Sequence, residues 1–267
     1  MLSIIIPTYN RKQLLAESLE SLTQQSIDSS DFEVIVVNDG GVDVRAVIQR
    51  FNSSLNINYI NASHQGVSIA RNTGIKEARG DILVFFDDDA VASKDWLEKV
   101  IKIFSNSEIN IVVGRGLAKT NNMWQFFAPH YDRGNKQIQL NGIWECDFAV
   151  RKSVLNQVGV FDEQIGWGHE GNELADRCKK GGYDIWYQPS MVIYHDYATG
   201  IINYLKKQFL FGKKLAYLKK KGIDTEQFKE SLYNDKLEKL NTIKKIFIKV
   251  IARLGAWSNN LGYKMNQ

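Results

Sequence analysis

Apolar residues along the first half of the chain come in blocks rather than in strict alternation. Residues 2–6 (LSIII), 33–37 (EVIVV), 57–60 and 82–86 (ILVFF) are short, β-branched and aromatic runs, each ended by Pro, Asn, Asp or Gly. Such runs read as strands buried on both faces. Between them the apolar positions take a helical spacing. Leu14, Leu15, Leu19 and Leu22 share one face of a helix expected over 11–25, with Asn10 as its cap. Further helices are expected over 43–51, 66–79 (stopped by Gly80) and 94–105, and a strand over 110–114. Strand and helix alternate, so the expected fold class is α/β, with a mostly parallel central sheet and helices on both faces.

The second half is less regular. Residues 116–146 are rich in Asn, Gly and aromatics and read as a variable lobe. Helices are expected over 151–158 and 170–180, and strands over 184–187 and 191–194, the second running into His195-Asp196. In open parallel sheets, ligands bind beyond the carboxyl ends of the strands. Three polar clusters fall at such ends: Thr8-Tyr9-Asn10, Asn38-Asp39 and Asp87-Asp88-Asp89. They are distant in sequence, and this architecture brings them to one crevice.

Composition narrows the class. The chain has 267 residues, 44% hydrophobic and 11% aromatic, enough for a sizeable core. Two lone cysteines, Cys146 and Cys178, show neither a disulfide framework nor zinc spacing, which fits a reducing, cytoplasmic setting. No apolar run approaches the roughly 20 residues of a spanning helix. The net charge of +4 is uneven: from residue 200 onward there are 15 Lys and Arg against 5 Asp and Glu, and residues 1–199 are net negative. Residues 1–199 therefore read as one catalytic unit and 200–267 as a basic, amphipathic, helical extension. Lysines with Phe209, Phe211 and Trp257 fit an anionic membrane surface, or else helices packed on the domain with a solvated basic face. Nothing accompanies the lysines to suggest nucleic acid.

The Asp triplet raises a physical question, because no Lys or Arg within four residues offsets its charge. Asp-x-Asp at a strand end suits a hard divalent cation such as Mg²⁺ or Mn²⁺; the bland alternative is a solvated turn with Asp89 capping the next helix. Asp39 suits the imide N–H of a uracil or thymine base, or serves only as a turn residue. Tyr9 suits base stacking or loop packing, and Arg71 a phosphate contact or plain surface exposure. His195 follows a strand and is able to ligate a metal. His64 and His130 lack such support. Trp144 and Trp167 present aromatic faces that suit sugar rings, unless both are core; His169 and Glu173 are further acceptor-side candidates.

These segments resemble family 2 glycosyltransferases, which are inverting nucleotide-sugar enzymes of GT-A type with a Rossmann-like sheet. The resemblance lies in SIIIPTYNR (3–11), VIVVNDGG (34–41), GVSIARNTGIKEARGDILVFFDDDA (66–90) and residues 146–195, nearly all of the chain up to 195. It implies transfer of a sugar from a UDP- or dTDP-type donor to a glycan, lipid-linked or peptide acceptor. Pro7, Thr8, Tyr9, Asp39 and Arg71 would hold the nucleoside, with Asp87 and Asp88 at the donor diphosphate. Asp87, Asp89 and His195 would hold Mn²⁺ or Mg²⁺. One departure stands out. Where the family has an Asp as general base, this chain has Gly171, in the stretch Gly168-His169-Glu170-Gly171. Either Glu170 takes the role, Glu173 reaches in, the acceptor needs little help, or the protein binds nucleotide sugars without transferring them. Glu170 is the preferred base at this stage, and the expected setting is cytoplasmic, at the inner face of a membrane.

Overall fold

The computed structural model describes residues 1–120, 123–128, 131–225 and 242–266. Leu2–Thr8 (β1) and Phe32–Asn38 (β2) are buried at every position, as continuous apolar runs require when helices cover both faces. β1 pairs in parallel with β2, from Leu2 opposite Phe32 to Thr8 opposite Asn38, and with Ile82–Phe86 (β4). β2 pairs in parallel with Ile57–Asn61 (β3). The crossovers run through Lys12–Thr23 (α1), Arg45–Phe51 (α2) and Val67–Glu77 (α3). After β4 come Val91–Ala92 (β5), Trp96–Phe104 (α4), Ile111–Leu117 (β6), Ile138–Leu140 (β7), Asp147–Arg151 (β8), Lys152–Val158 (α5), Glu170–Lys180 (α6) and Ile185–Tyr194 (β9).

The described strands make one sheet in the order β3-β2-β1-β4-β8-β6-β9-β5, with β7 also on β9. The mixed α/β class and the parallel core of the sheet are as expected. β8 lies antiparallel between β4 and β6, and β6 is parallel to β9. Two reversals restore direction, so β9 points the same way as β1, β2 and β4. His195, just past the end of β9, therefore reaches the edge where the Asp triplet lies.

Three local expectations change. Residues 184–187 and 191–194 belong to one strand, β9, which contains Pro189. Pro lacks the ladder N–H, and the pairing of β6 with β9 breaks register there, between Val113 and Arg115. Asn10 does not cap α1: it is in a left-handed conformation (φ 59°), and its Oδ1 accepts the Val42 N–H at 2.8 Å. Its side chain ties the loop after β1 to the loop after β2. Asp89 does not cap a helix either, because α4 begins only at Trp96.

The C-terminal segment packs as two helices, Ile201–Lys220 (α7) and Thr242–Lys264 (α8), running side by side in the same direction. Gly212 meets Asn259 and Tyr263, and Gly262 meets Phe209. A Cβ at Gly212 would fall 1.8 Å from the Asn259 carbonyl oxygen, so these helices approach as closely as glycine permits. α7 docks on the domain: Tyr217 donates to Asp162 at 2.8 Å, Lys221 pairs with Asp162 at 2.7 Å and Glu173 at 3.2 Å, and Phe211 stacks on Trp167.

Candidate active site

The Asp triplet occupies the loop after β4, and its three carboxylates diverge. Asp88 turns inward and accepts the Thr8 hydroxyl at 2.6 Å and Arg11 at 2.9 Å. Burial, opposed by Arg11 and aided by Asp89, pushes its carboxyl up to about 6. Asp89 pairs with Arg11 at 2.8 Å, and Asp87 with Arg71 at 3.2 Å. The charge that looks unbalanced in sequence is therefore met by arginines from the loop after β1 and from α3.

Asp87, Asp89 and His195 bring one ligand atom each to within 4.8 Å of one another. His195 Nε2 lies 3.0 Å from Asp89 Oδ1, yet that oxygen is buried and finds no aligned hydrogen bond among the described residues. Two carboxylates and an imidazole brought this close are a donor set that Mn²⁺ or Mg²⁺ accepts. Burial alone would lower the His195 pKa, but Asp89 outweighs it and the net shift is upward; Asp89 is shifted downward, with burial opposed by His195 and Arg11. The Tyr131 ring packs edge-on against His195. Lys207, from α7, donates to the Tyr197 carbonyl, and its pKa is lowered, by burial first and by Arg11 as well, against the attraction of Asp89.

At the far side, Tyr9 is 42% exposed and stacks on His64, with ring centroids 4.2 Å apart. Asp39 accepts the backbone N–H groups of Gln65 and Gly66 at 2.9 and 3.0 Å and meets His64 Nδ1 at 2.9 Å. It organises the loop before α3 and positions His64, a residue the sequence left without a role. Pro7 is part of β1, where its neighbour is Val37.

Arg71 is buried, with Nη1 2.8 Å from Glu170 and Nη2 3.2 Å from Asp87. It is no surface residue: it links the Asp cluster to the first turn of α6, and its described partners include neither Tyr9 nor Asp39. Glu170 is 2% exposed, with Oε2 lacking a hydrogen-bond partner among the described residues. Glu145, on the loop before β8, accepts the Gly171 N–H. Glu173 does not reach in; it is buried against Arg177 at 2.7 Å and Lys221. Trp144 is core, with its indole N–H donated to the Gly114 carbonyl at 3.1 Å. Trp167 is 37% exposed, stacked on Phe211 with Lys207 5.9 Å from its ring. His169 caps α6 in a left-handed conformation (φ 69°), its Nδ1 2.8 Å from Asn172 Nδ2, and burial pulls its pKa down to about 4. His130 lies outside the described residues.

The sequence matches the family described as "Glycosyl transferase family 2" over residues 3–164. The chain belongs to that family. It is 30% identical over 220 residues to glycosyltransferase AglE of Haloferax volcanii, covering 79% of this chain and 71% of AglE. It is 40% identical over 160 residues to the uncharacterised glycosyltransferase YfnE of Bacillus subtilis, covering 59% of this chain but 40% of that protein. Among solved structures, the mannosyltransferase PcManGT of Pyrobaculum calidifontis, in complex with GDP-Man and Mn²⁺, superimposes with a TM-score of 0.67 at 18% identity, covering 98% of this chain and 72% of PcManGT. Staphylococcus aureus TarS 1–349, in complex with UDP, gives 0.59 at 16% identity, over 96% and 80%. These likenesses show the GT-A fold.

Within this glycosyltransferase domain, the sequence left three residues unassigned that the fold brings to the site. Arg11 was visible in the SIIIPTYNR block, yet only folding places it on Asp88 and Asp89. Lys207 is one lysine among many in the basic segment. Glu145 precedes the irregular β8 junction and carries no motif. None of the three has a local pattern that marks it; each depends on a contact between distant segments.

Proposed function

We propose that this glycosyltransferase transfers a sugar from a UDP- or dTDP-type donor to an acceptor with inversion, in a single displacement. The observation that carries the reading is the Asp87–Asp89–His195 cluster at the edge shared by β4 and β9. Those three residues would hold Mn²⁺ or Mg²⁺, which when bound supplies Lewis-acid neutralisation of the departing diphosphate. Thr8 and Arg11 fix Asp88 and keep the loop in place, while Lys207 and Arg71 add positive charge beside the diphosphate end. Tyr9, with His64 behind it, offers a stacking face to the base, and Pro7 and Asp39 shape that pocket. Trp167 offers the aromatic face at the acceptor end. The PcManGT complex contains GDP-Man and Mn²⁺ and the TarS complex UDP, which supports a nucleotide-sugar donor and a divalent cation for this chain. The acceptor class, a glycan or a lipid-linked or peptide-linked one in glycoconjugate synthesis, fits an enzyme whose basic helices lie against an anionic membrane.

The test is a panel of UDP-, dTDP- and GDP-sugars, assayed for binding and for nucleoside diphosphate release with Mn²⁺, Mg²⁺ or EDTA. One donor should bind and turn over only with metal, and Asp89→Ala should cut metal-dependent turnover by about 10²-fold or more. Binding and turnover that ignore EDTA would remove the metal assignment. Absence of binding across the panel would remove the donor reading.

A further inference from the structure

Position 171 lacks the carboxylate that the family resemblance leads one to expect, and the space is not empty. A Cβ built on Gly171 would fall 2.4 Å from Glu145 Oε1 and 2.5 Å from the Ile143 carbonyl oxygen. Glu145, from the loop before β8, thus puts its carboxyl group where a side chain at 171 would begin, and it accepts the Gly171 N–H. We infer that Glu145 is a relocated proton acceptor, delivered from the loop before β8 into the place that Gly171 vacates. The inference rests on the transferase reading above.

Two neighbouring carboxylates compete for the role, and their surroundings separate them. Glu170 is sealed at 2% exposed, and its Oε1 is held by Arg71 at 2.8 Å, which leaves it little surface to offer an acceptor. Glu145 is only half-buried, and its hydrogen-bond donors are backbone N–H groups, that of Gly171 and its own, with no cationic side chain bonded to it among the described residues. Burial and the like charge of Glu170, opposed by Arg71, push Glu145 up to about 8. Tyr131 and Cys146 also face it, and both stay neutral because burial raises their own pKa values. Arg71, bonded to Glu170 and Asp87 and attracting Glu145 by its charge, then acts as a positioning residue between the base and the donor end. In the step, the acceptor O–H gives its proton to Glu145. Its oxygen forms the bond to the anomeric carbon, and the bond from that carbon to the diphosphate oxygen breaks, with the electron pair leaving on the nucleoside diphosphate.

A plainer role for Glu145 is to cap α6 at its positive end. Glu145→Gln separates the two, since the amide oxygen still accepts the Gly171 N–H but cannot take a proton. With the donor that the panel identifies, Glu145→Gln should keep its melting temperature and bind donor within about threefold of wild type. Its diphosphate release should fall by roughly 10²–10⁴-fold. Wild-type kcat/KM should drop as pH falls below about 8, because Glu145 is then protonated, and that limb should vanish in the variant. Glu145→Asp should recover part of the rate. Glu145→Gln turning over at the wild-type rate would overturn the inference and leave the family reading intact. Wild-type protein that binds a donor but releases no diphosphate to water or to small alcohols would overturn it equally. No binding of any nucleotide sugar would instead remove the reading on which it rests.

Discussion

Arg71 shows how far a residue's meaning depends on its surroundings. In sequence it sits in a helix among Asn, Thr and Lys and reads most simply as exposed. In the fold it is buried, in contact with Glu170 at 2.8 Å, Asp87 at 3.2 Å and the face of Phe161. Removing a buried partner of this kind strands the other charge. Arg71→Met should therefore cost about 3–5 kcal/mol, read as a lower midpoint in urea, with Glu170→Gln restoring part of it in the double variant. Full stability in Arg71→Met would show that water already serves Glu170. The same residue-level contrast holds for the Asp triplet. Its metal-binding potential was legible in Asp-x-Asp after a strand, but its charge compensation was not, because Arg11 and His195 come from 77 or more residues away in the chain.

At the scale of elements, the expected strands and helices follow the hydrophobic pattern closely, while β5, β7 and β8 are not legible in it and the finer differences lie where side chains reach across to another segment. Glu33 is the second residue of β2, inside an apolar run that gives it no role of its own in sequence. It is 1% exposed, accepts Ser3 Oγ at 2.7 Å, and accepts the Arg79 backbone N–H at 2.7 Å and its Nε at 2.8 Å. It thereby pins the end of α3 to the start of the sheet. Burial would raise its pKa, but Ser3 and Arg79 outweigh that and the net shift is downward. A carboxylate lowered on folding adds stability above its unfolded value, near 4.5, and loses it as pH falls through the lower folded value. Glu33→Gln should lose about 1–3 kcal/mol at neutral pH and show a shallower loss in acid than wild type. Equal acid slopes in thermal melts would place the acid response elsewhere. α7 and α8 obey a further constraint at this scale, since Gly212 and Gly262 let the two backbones touch and Gly255 leaves room for the Tyr204 side chain.

At the scale of the molecule, the C-terminal helices do two things at once. α7 carries Lys207 toward the Asp cluster and Phe211 to Trp167, so the basic segment borders the candidate site. α8 turns outward: Val250, Leu254, Trp257, Leu261 and Met265 recur at helical spacing and are exposed, Trp257 at 63% and Met265 at 68%. Ile202 on α7 is 69% exposed, and Arg253 and Lys264 neighbour the stripe along α8. The side chains of Ile243, Ile246 and Ile248, part of the expected apolar face, lie outside the described residues. No helix among the described residues is long and apolar enough to cross a membrane. An apolar stripe edged by cations suits the headgroup boundary of an anionic bilayer. The protein should pellet with vesicles containing phosphatidylglycerol and much less with phosphatidylcholine alone, more weakly as salt rises. The pair Leu254→Glu and Trp257→Glu should abolish the lipid dependence without changing donor binding. Pelleting that ignores both lipid charge and these substitutions would leave the stripe to a protein partner.

The sequence by itself determined the α/β class, the parallel strands, the carboxyl-end crevice and the family resemblance. Each of these is encoded locally, in apolar runs, turn residues and ordered motifs. The tertiary structure alone decided which charges neutralise the Asp triplet, that Trp144 and Glu173 face the core and a salt-bridge network, and that Asp39 holds His64. It alone placed Lys207 and Glu145 at the site. Burial, like-charge proximity and the room left by a missing Cβ are properties of segments brought together, and a linear pattern does not carry them.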